Sequence, residues 1–272
     1  MTFFQRHAYG LGAGFAALLW PFFPGRRRLS RDNVLKCGIA SCQKEASRIA
    51  RRAWLHLGGH IAEALFVPKS EDAGFWRGRL DVSEADPESA SLVLDPPKEP
   101  ILIVSAHHGA WEAATNILTA SRPMIAVARK VNNRFVAGWM AKHHFRGPVT
   151  VIDKKKGFTK EILRQWETEN SAMTILMDQH HSKGARLTFL GRPARTITSA
   201  ARLAVRTGHP AFVGSFVRTG PYRYKLVGGP PLRFAKGTDA ETAAQAMNDR
   251  LSDVIRRYPD QYLWAHRRWR DD

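Results

Sequence analysis

The chain has little of what staples or subdivides a small protein. Cysteine occurs only at Cys37 and Cys42, five positions apart in what reads as one helix. That spacing does not suit a disulfide and lacks a Cys-x2-Cys metal pattern, so a reducing compartment is the natural setting. No Gly/Ser or Pro-rich low-complexity linker divides the sequence, and no internal repeat is present. One domain with an ample core is therefore expected for 272 residues. Acidic residues are scarce too, with 24 Asp and Glu against 42 Lys and Arg for a formal charge of +18. So basic a chain calls for an anionic partner: nucleic acid, a membrane surface, or an acidic protein and substrate. Helix-turn-helix, zinc-finger and RNP-like patterns are all missing, so nucleic acid is not expected. The chain also lacks a Gly-x-Ser-x-Gly elbow and a His-Glu-x-x-His pair, which argues against an acyl-serine enzyme and a zinc peptidase.

No apolar run reaches the roughly 20 residues that span a bilayer. Tyr9 to Phe23 comes nearest, but it is shorter and is interrupted by Pro21. Arg26, Arg27 and Arg28 follow it, with Trp20, Phe22 and Phe23 as interface-type aromatics. This reads as a shallow anchor over residues 1–28, with the basic cluster on the cytoplasmic side. A packed N-terminal helix is the competing reading. From Asp32, a good N-cap, a long helix or helix pair is predicted to about Phe66, with an apolar stripe through Leu35, Ile39, Cys42, Ala46, Ile49, Ala53, Leu57, Ile61 and Leu65. Lys36, Lys44, Arg48, Arg51 and Arg52 occupy the opposite, solvated face.

Ile101 to Ser105 follows Pro100 and has the length and β-branching of a core strand. It ends at His107, His108 and Gly109, and a helix begins near Ala110 with Glu112 in its first turn, where a carboxylate suits the helix dipole. On one continuous helix, His107 and Glu112 could not meet. With His107 in the loop and Gly109 making the turn, the imidazole folds back towards Glu112, which would orient it as a general base. A lone histidine is more often a cap or a core residue, but the strand end and the carboxylate set this one apart. The pairs His107-His108, His143-His144 and His180-His181 lack ligand spacing, so no metal is expected, and no cofactor is implied.

Strand and helix then alternate: Met124 to Arg129, Val149 to Asp153 and Ala172 to Asp178 as strands, Asn133 to Phe145 and Phe158 to Thr168 as helices. That pattern predicts an α/β fold whose mixed, partly parallel sheet is flanked by helices. Sites in such sheets gather beyond the carboxyl ends of strands, and His107, Arg129 and Asp178 each lie at one. Gly191 to Thr196 reads as a turn before a helix starting near Ser199, with Arg192 and Thr196 as candidate phosphate contacts. Ala211 to Arg218 and Tyr222 to Leu232 read as a hairpin, and Asp239 to Arg257 as an amphipathic helix.

His107-His108-Gly109-Ala110-Trp111-Glu112 after an apolar strand resembles the His-x4-Glu signature of the lipid A biosynthesis (lauroyl/myristoyl-type) acyltransferases, within the wider His-x4-Asp/Glu glycerolipid acyltransferases. Asp178-Gln179 with Phe189 to Ala194 and Thr196 resembles that family's second block. Tyr258 to Trp264 with His266-Arg267-Arg268-Trp269 resembles its C-terminal block. His108 and Ala110 depart from the usual pattern. The resemblance implies a single glycerolipid-acyltransferase-like domain over 29–272, acting at the cytoplasmic face of the cell inner membrane. The implied reaction moves an acyl chain from acyl-carrier protein, or acyl-CoA, to a hydroxyl of an anionic glycolipid, with His107 and Glu112 catalytic. Arg129, Asp178, Gln179, Arg192 and Thr196 would bind substrate.

Overall fold

A computed structural model describes residues 2–67, 73–94, 99–128, 148–153 and 158–270. Seven strands form the main sheet in the order β1-β9-β8-β2-β5-β3-β4, and β6 and β7 form a separate hairpin. The strands are β1 (Leu80–Asp81), β2 (Ile101–Ser105), β3 (Met124–Ala128), β4 (Val149–Asp153), β5 (Ala172–Leu176), β6 (Ala185–Phe189), β7 (Arg192–Thr196), β8 (Ala211–Gly220) and β9 (Arg223–Gly228). From β4 through β3, β5 and β2 to β8 every pairing is parallel, whereas β8 and β9 run antiparallel. The sheet is mixed and partly parallel, as the sequence predicts.

All five residues of β2 are buried, the mark of a strand covered on both faces. Leu102 and Val104 pack with the helices Lys160–Thr168, Ser199–Thr207 and Ala240–Arg257 on one side. Ile101 and Ile103 pack on the other with Ala114, Ile117 and Leu118 of Trp111–Thr119 and with Leu92 and Val93 of Pro87–Leu94. Tyr262, Trp264 and Trp269 bring the C-terminal segment back into the first of these cores.

Ahead of the short helix Ala73–Arg77 and β1 come α1 (Phe3–Leu19), α2 (Pro24–Lys36) and α3 (Gln43–Leu65). The predicted Asp32 to Phe66 helix is a pair, and its first member starts at Pro24 rather than at Asp32, because proline at the first helical position presets φ. It stops at Cys37, followed by Gly38 at φ +64°, and a second helix starts after Cys42, so the cysteines flank a break and are not joined in a disulfide.

α1 lies against α3 through small residues. A Cβ on Gly12 would sit 2.3 Å from the Gly58 carbonyl oxygen, and one on Gly58 would sit 2.5 Å from the Ala16 Cβ. Backbones approach this closely only where side chains are nearly absent. The opposite face of α1 and its continuation carries Phe4, Leu11, Phe15, Leu18 and Phe22 at helical steps, all exposed, with Leu18 at 71 % and Phe22 at 77 %. Ile61 and Leu65, expected on the core stripe, are exposed as well, while His56, His60 and Glu63 are buried. Among the described residues, no helix is long and apolar enough to cross a membrane.

Candidate active site

Adjacent parallel strands that end level bring their following residues together. In the β2–β5 register Ser105 pairs with Leu176, and Met177 N–H donates to the Ser105 carbonyl at 3.0 Å. His107 is two residues past Ser105, and Asp178 is two past Leu176. The result is a hydrogen bond of 2.8 Å between His107 Nδ1 and Asp178 Oδ1. Nδ1 therefore carries the proton donated to the carboxylate, which leaves Nε2 its lone pair. The Gln179 side-chain nitrogen lies 3.2 Å from that Nε2.

His107 remains partly exposed while Asp178 is buried. Burial alone would raise the Asp178 carboxyl, but the charge and hydrogen bonds of His107, together with the charge of Arg268, bring it below its ordinary value. Asp178 is thus held as the carboxylate that stabilises an imidazolium. Trp111 packs edge-on against His107 with ring centroids 5.4 Å apart.

His107 Nδ1 thus has Asp178 as a carboxylate partner that the sequence placed only among the substrate-binding residues. Glu112 is in the first helical turn, as the sequence predicts, and accepts from the Trp111 indole N–H at 3.1 Å. The imidazole reaches across to the next strand because the strand ends are level. His108, a departure from the family pattern, is fully buried. It bridges Tyr262 in an antiparallel pair, and its Nε2 lies 2.9 Å from the Tyr258 carbonyl oxygen. Burial pushes its pKa down to about 4.

Arg192 to Thr196 is a strand rather than part of a turn. Leu190 at φ 53° and Gly191 at φ 82° make a tight turn whose twist suits a hairpin, so the following amides enter a β-ladder. Thr196 is buried beneath the site, where its hydroxyl accepts from Asn248 and Arg268. Arg192 stacks over the Trp269 ring, 4.9 Å from its centroid. Arg129, the helix expected at Asn133 to Phe145 and the His143-His144 pair lie outside the described residues.

Two contributors escaped the sequence reading. Arg268, named above only within the C-terminal block, is buried and donates to the carbonyls of Gln179, at 3.1 Å, and Arg195. It ties the hairpin to the residue that covers Nε2. Glu63, in α3, accepts from Arg218 Nε at 2.7 Å and from Tyr222 N–H at 2.7 Å, joining α3 to the β8–β9 hairpin. Arg268 sits in the quoted C-terminal block, so the signal was present there. Glu63 stands amid apolar residues near the helix end, and nothing in its sequence surroundings names the Arg218 partner.

A strand-end histidine backed by a buried carboxylate has the makings of a general base for a hydroxyl, a chemistry that acyl transfer to an alcohol requires. The model of the family described as bacterial lipid A biosynthesis acyltransferase matches residues 4–271, and the chain belongs to that family. The lipid A biosynthesis lauroyltransferase of Escherichia coli (strain K12) is 25 % identical over 277 residues, covering 96 % of this chain and 85 % of that protein. The protein is thus an acyltransferase enzyme of lipid A biosynthesis.

Proposed function

We propose that the enzyme moves a fatty acyl chain from acyl-carrier protein, or acyl-CoA, to a hydroxyl of a lipid A precursor, with His107 as general base and Asp178 as its orienting carboxylate. The observation that carries the reading is the 2.8 Å bond from His107 to Asp178 at the carboxyl ends of two adjacent parallel strands. In the reaction, His107 Nε2 takes the acceptor hydroxyl's proton while Nδ1–H stays on Asp178. The oxygen attacks the thioester carbonyl and forms a tetrahedral oxyanion. Collapse breaks the carbon–sulfur bond, and the departing thiolate takes the proton back from the imidazolium, so atoms and charge balance without an acyl-enzyme. Gln179 donates to the lone pair at rest and turns to the acceptor when it arrives. Arg129 stabilises the oxyanion, and Glu112 stands as a second carboxylate beside the acceptor.

The exposed face of Phe4, Leu11, Phe15, Leu18 and Phe22 supports a membrane-surface anchor. Each large apolar side chain buried in the bilayer edge contributes about 1.5–3 kcal/mol. Arg26, Arg27 and Arg28 follow directly and suit anionic headgroups on the cytoplasmic face of the inner membrane. The positive surface also fits an acidic carrier protein and a phosphorylated acceptor.

The test is mass spectrometry of lipids from a lipid-A-producing host that lacks its late acyltransferases, complemented with wild type or His107→Ala. Wild type should add one acyl mass to lipid A and the variant none. An unchanged lipid A with a new acyl mass on another lipid would overturn the acceptor, and a fully active His107→Ala would overturn the base.

A further inference from the structure

His56 lies on α3, buried, with both ring nitrogens engaged. Nε2 is 3.0 Å from the Gly109 carbonyl oxygen, and Nδ1 is 3.1 Å from the Tyr9 hydroxyl. A carbonyl only accepts, so Nε2 carries the proton and Nδ1 accepts from Tyr9, which fixes one tautomer. The Arg218 guanidinium lies over the Tyr9 ring, 3.6 Å from its centroid, and holds that ring in turn.

Gly109 is two residues past His107, at φ +65°, where a Cβ would meet the Phe216 carbonyl oxygen at 2.3 Å. The rest of the loop is tied by backbone. Leu263 N–H donates to the His107 carbonyl at 3.0 Å, Gly109 N–H to Gln261 at 3.0 Å, and Ala110 N–H to Phe216 at 2.7 Å. The Gly109 carbonyl is bound by a side chain instead, and that side chain comes from the N-terminal helices. Burying an imidazole costs more than burying leucine unless its bonds serve a purpose.

We propose that His56, held in one tautomer by Tyr9, is a positioning residue for His107. By fixing the Gly109 peptide it sets where the His107 ring meets Asp178 and the acceptor. The proposal rests on His107 being the base. A displacement of about 1 Å at a reacting group costs on the order of 100-fold in rate, so the loss of this tie falls on turnover. Through Tyr9, α1 is joined to the catalytic loop by two hydrogen bonds.

The test compares kcat and KM of the full-length enzyme carrying His56→Leu, His56→Gln, Tyr9→Phe or His107→Ala. The substrates are the lipid A precursor and acyl-carrier-protein thioester. His56→Leu should lose about 10- to 100-fold in kcat with KM within about twofold. His56→Gln should regain most of it, because its amide supplies both a donor for Gly109 and an acceptor for Tyr9. Tyr9→Phe should fall a few-fold in kcat alone. A purely structural role would instead lower the folded fraction, and glutamine would rescue no better than a similarly stable leucine variant. That result, or wild-type kcat in His56→Leu, would overturn the proposal. If His56→Leu does not fold, wild-type kcat in Tyr9→Phe does so. An active His107→Ala would instead remove the base assignment on which the proposal rests.

Discussion

In the sheet, apolar side chains point inward from both faces, and the polar groups that matter stand at one edge. In α1 and the far half of α3 the order is reversed: Phe15, Leu18, Ile61 and Leu65 face outward while His56, His60 and Glu63 lie inside. The same rule of burial separates the two regions: apolar groups are covered in the first, and an apolar face lies open in the second. Water on every side suits the sheet layers, whereas the outward face of α1 gains free energy only from another apolar medium. The exposed apolar stripe and the buried His56, His60 and Glu63 of the same helical layer are therefore one feature, not two anomalies.

The contrast sets what each region should lose when altered, beginning at the sheet edge. Asp178→Asn, which keeps the shape but removes the charge facing Nδ1, should lower kcat/KM about 1,000-fold with little change in melting temperature. Steady-state kinetics alongside thermal unfolding checks this, and a small kinetic effect would return the orienting role to Glu112. In the helical layer the corresponding loss should appear in stability. Arg218→Leu strands the buried Glu63 carboxylate and should cost about 3 kcal/mol in denaturant unfolding.

The outer face should behave oppositely. Phe15→Asp combined with Leu18→Asp should weaken binding to anionic phospholipid vesicles by about 100-fold. It should change folding stability by less than about 0.5 kcal/mol. Aggregation or unfolding of this variant would show that the stripe packs against protein rather than lipid.

The smallest effect is a slope. His108 titrates near its ordinary value of 6.5 when unfolded but at about 4 when folded, so below pH 6.5 the unfolded chain binds more protons and stability falls as pH drops towards 4. The loss should be about 2 kcal/mol at pH 5. His108→Gln, which keeps a donor for the Tyr258 carbonyl, should flatten that part of the stability profile.

Much of the sheet was legible because its signals are local. Ile101 to Ser105, Val149 to Asp153 and the strand beginning at Ala172 announce themselves by length, β-branching and flanking breaks. His107 and Asp178 were legible as strand-end residues. Their pairing was not, since nothing in a strand's own sequence says that β5, rather than β3, lies beside β2. The Arg192–Thr196 strand was missed because Gly191 and Pro193 read as loop punctuation, although the positive φ of Leu190 and Gly191 is what closes the hairpin. The α3 stripe was traced correctly through Ala46, Ile49 and Ala53, then followed to Ile61 and Leu65 on the assumption that apolar means inside. That assumption failed where α1 covers the helix with alanine and glycine.

The level ends of β2 and β5 define a fixed overhang. Both site residues hang two positions beyond the last paired residue, although 71 positions separate them along the chain. The segments between can lengthen, shorten or change fold at their outer turns without moving the site. The overhang itself has no such tolerance. Deleting one residue between Ser105 and His107 would draw the imidazole back by about 3.3 Å and turn it to the other face of the sheet. A site built this way is inherited as a count from the end of a strand, and it should be aligned by that count before residue identity is compared.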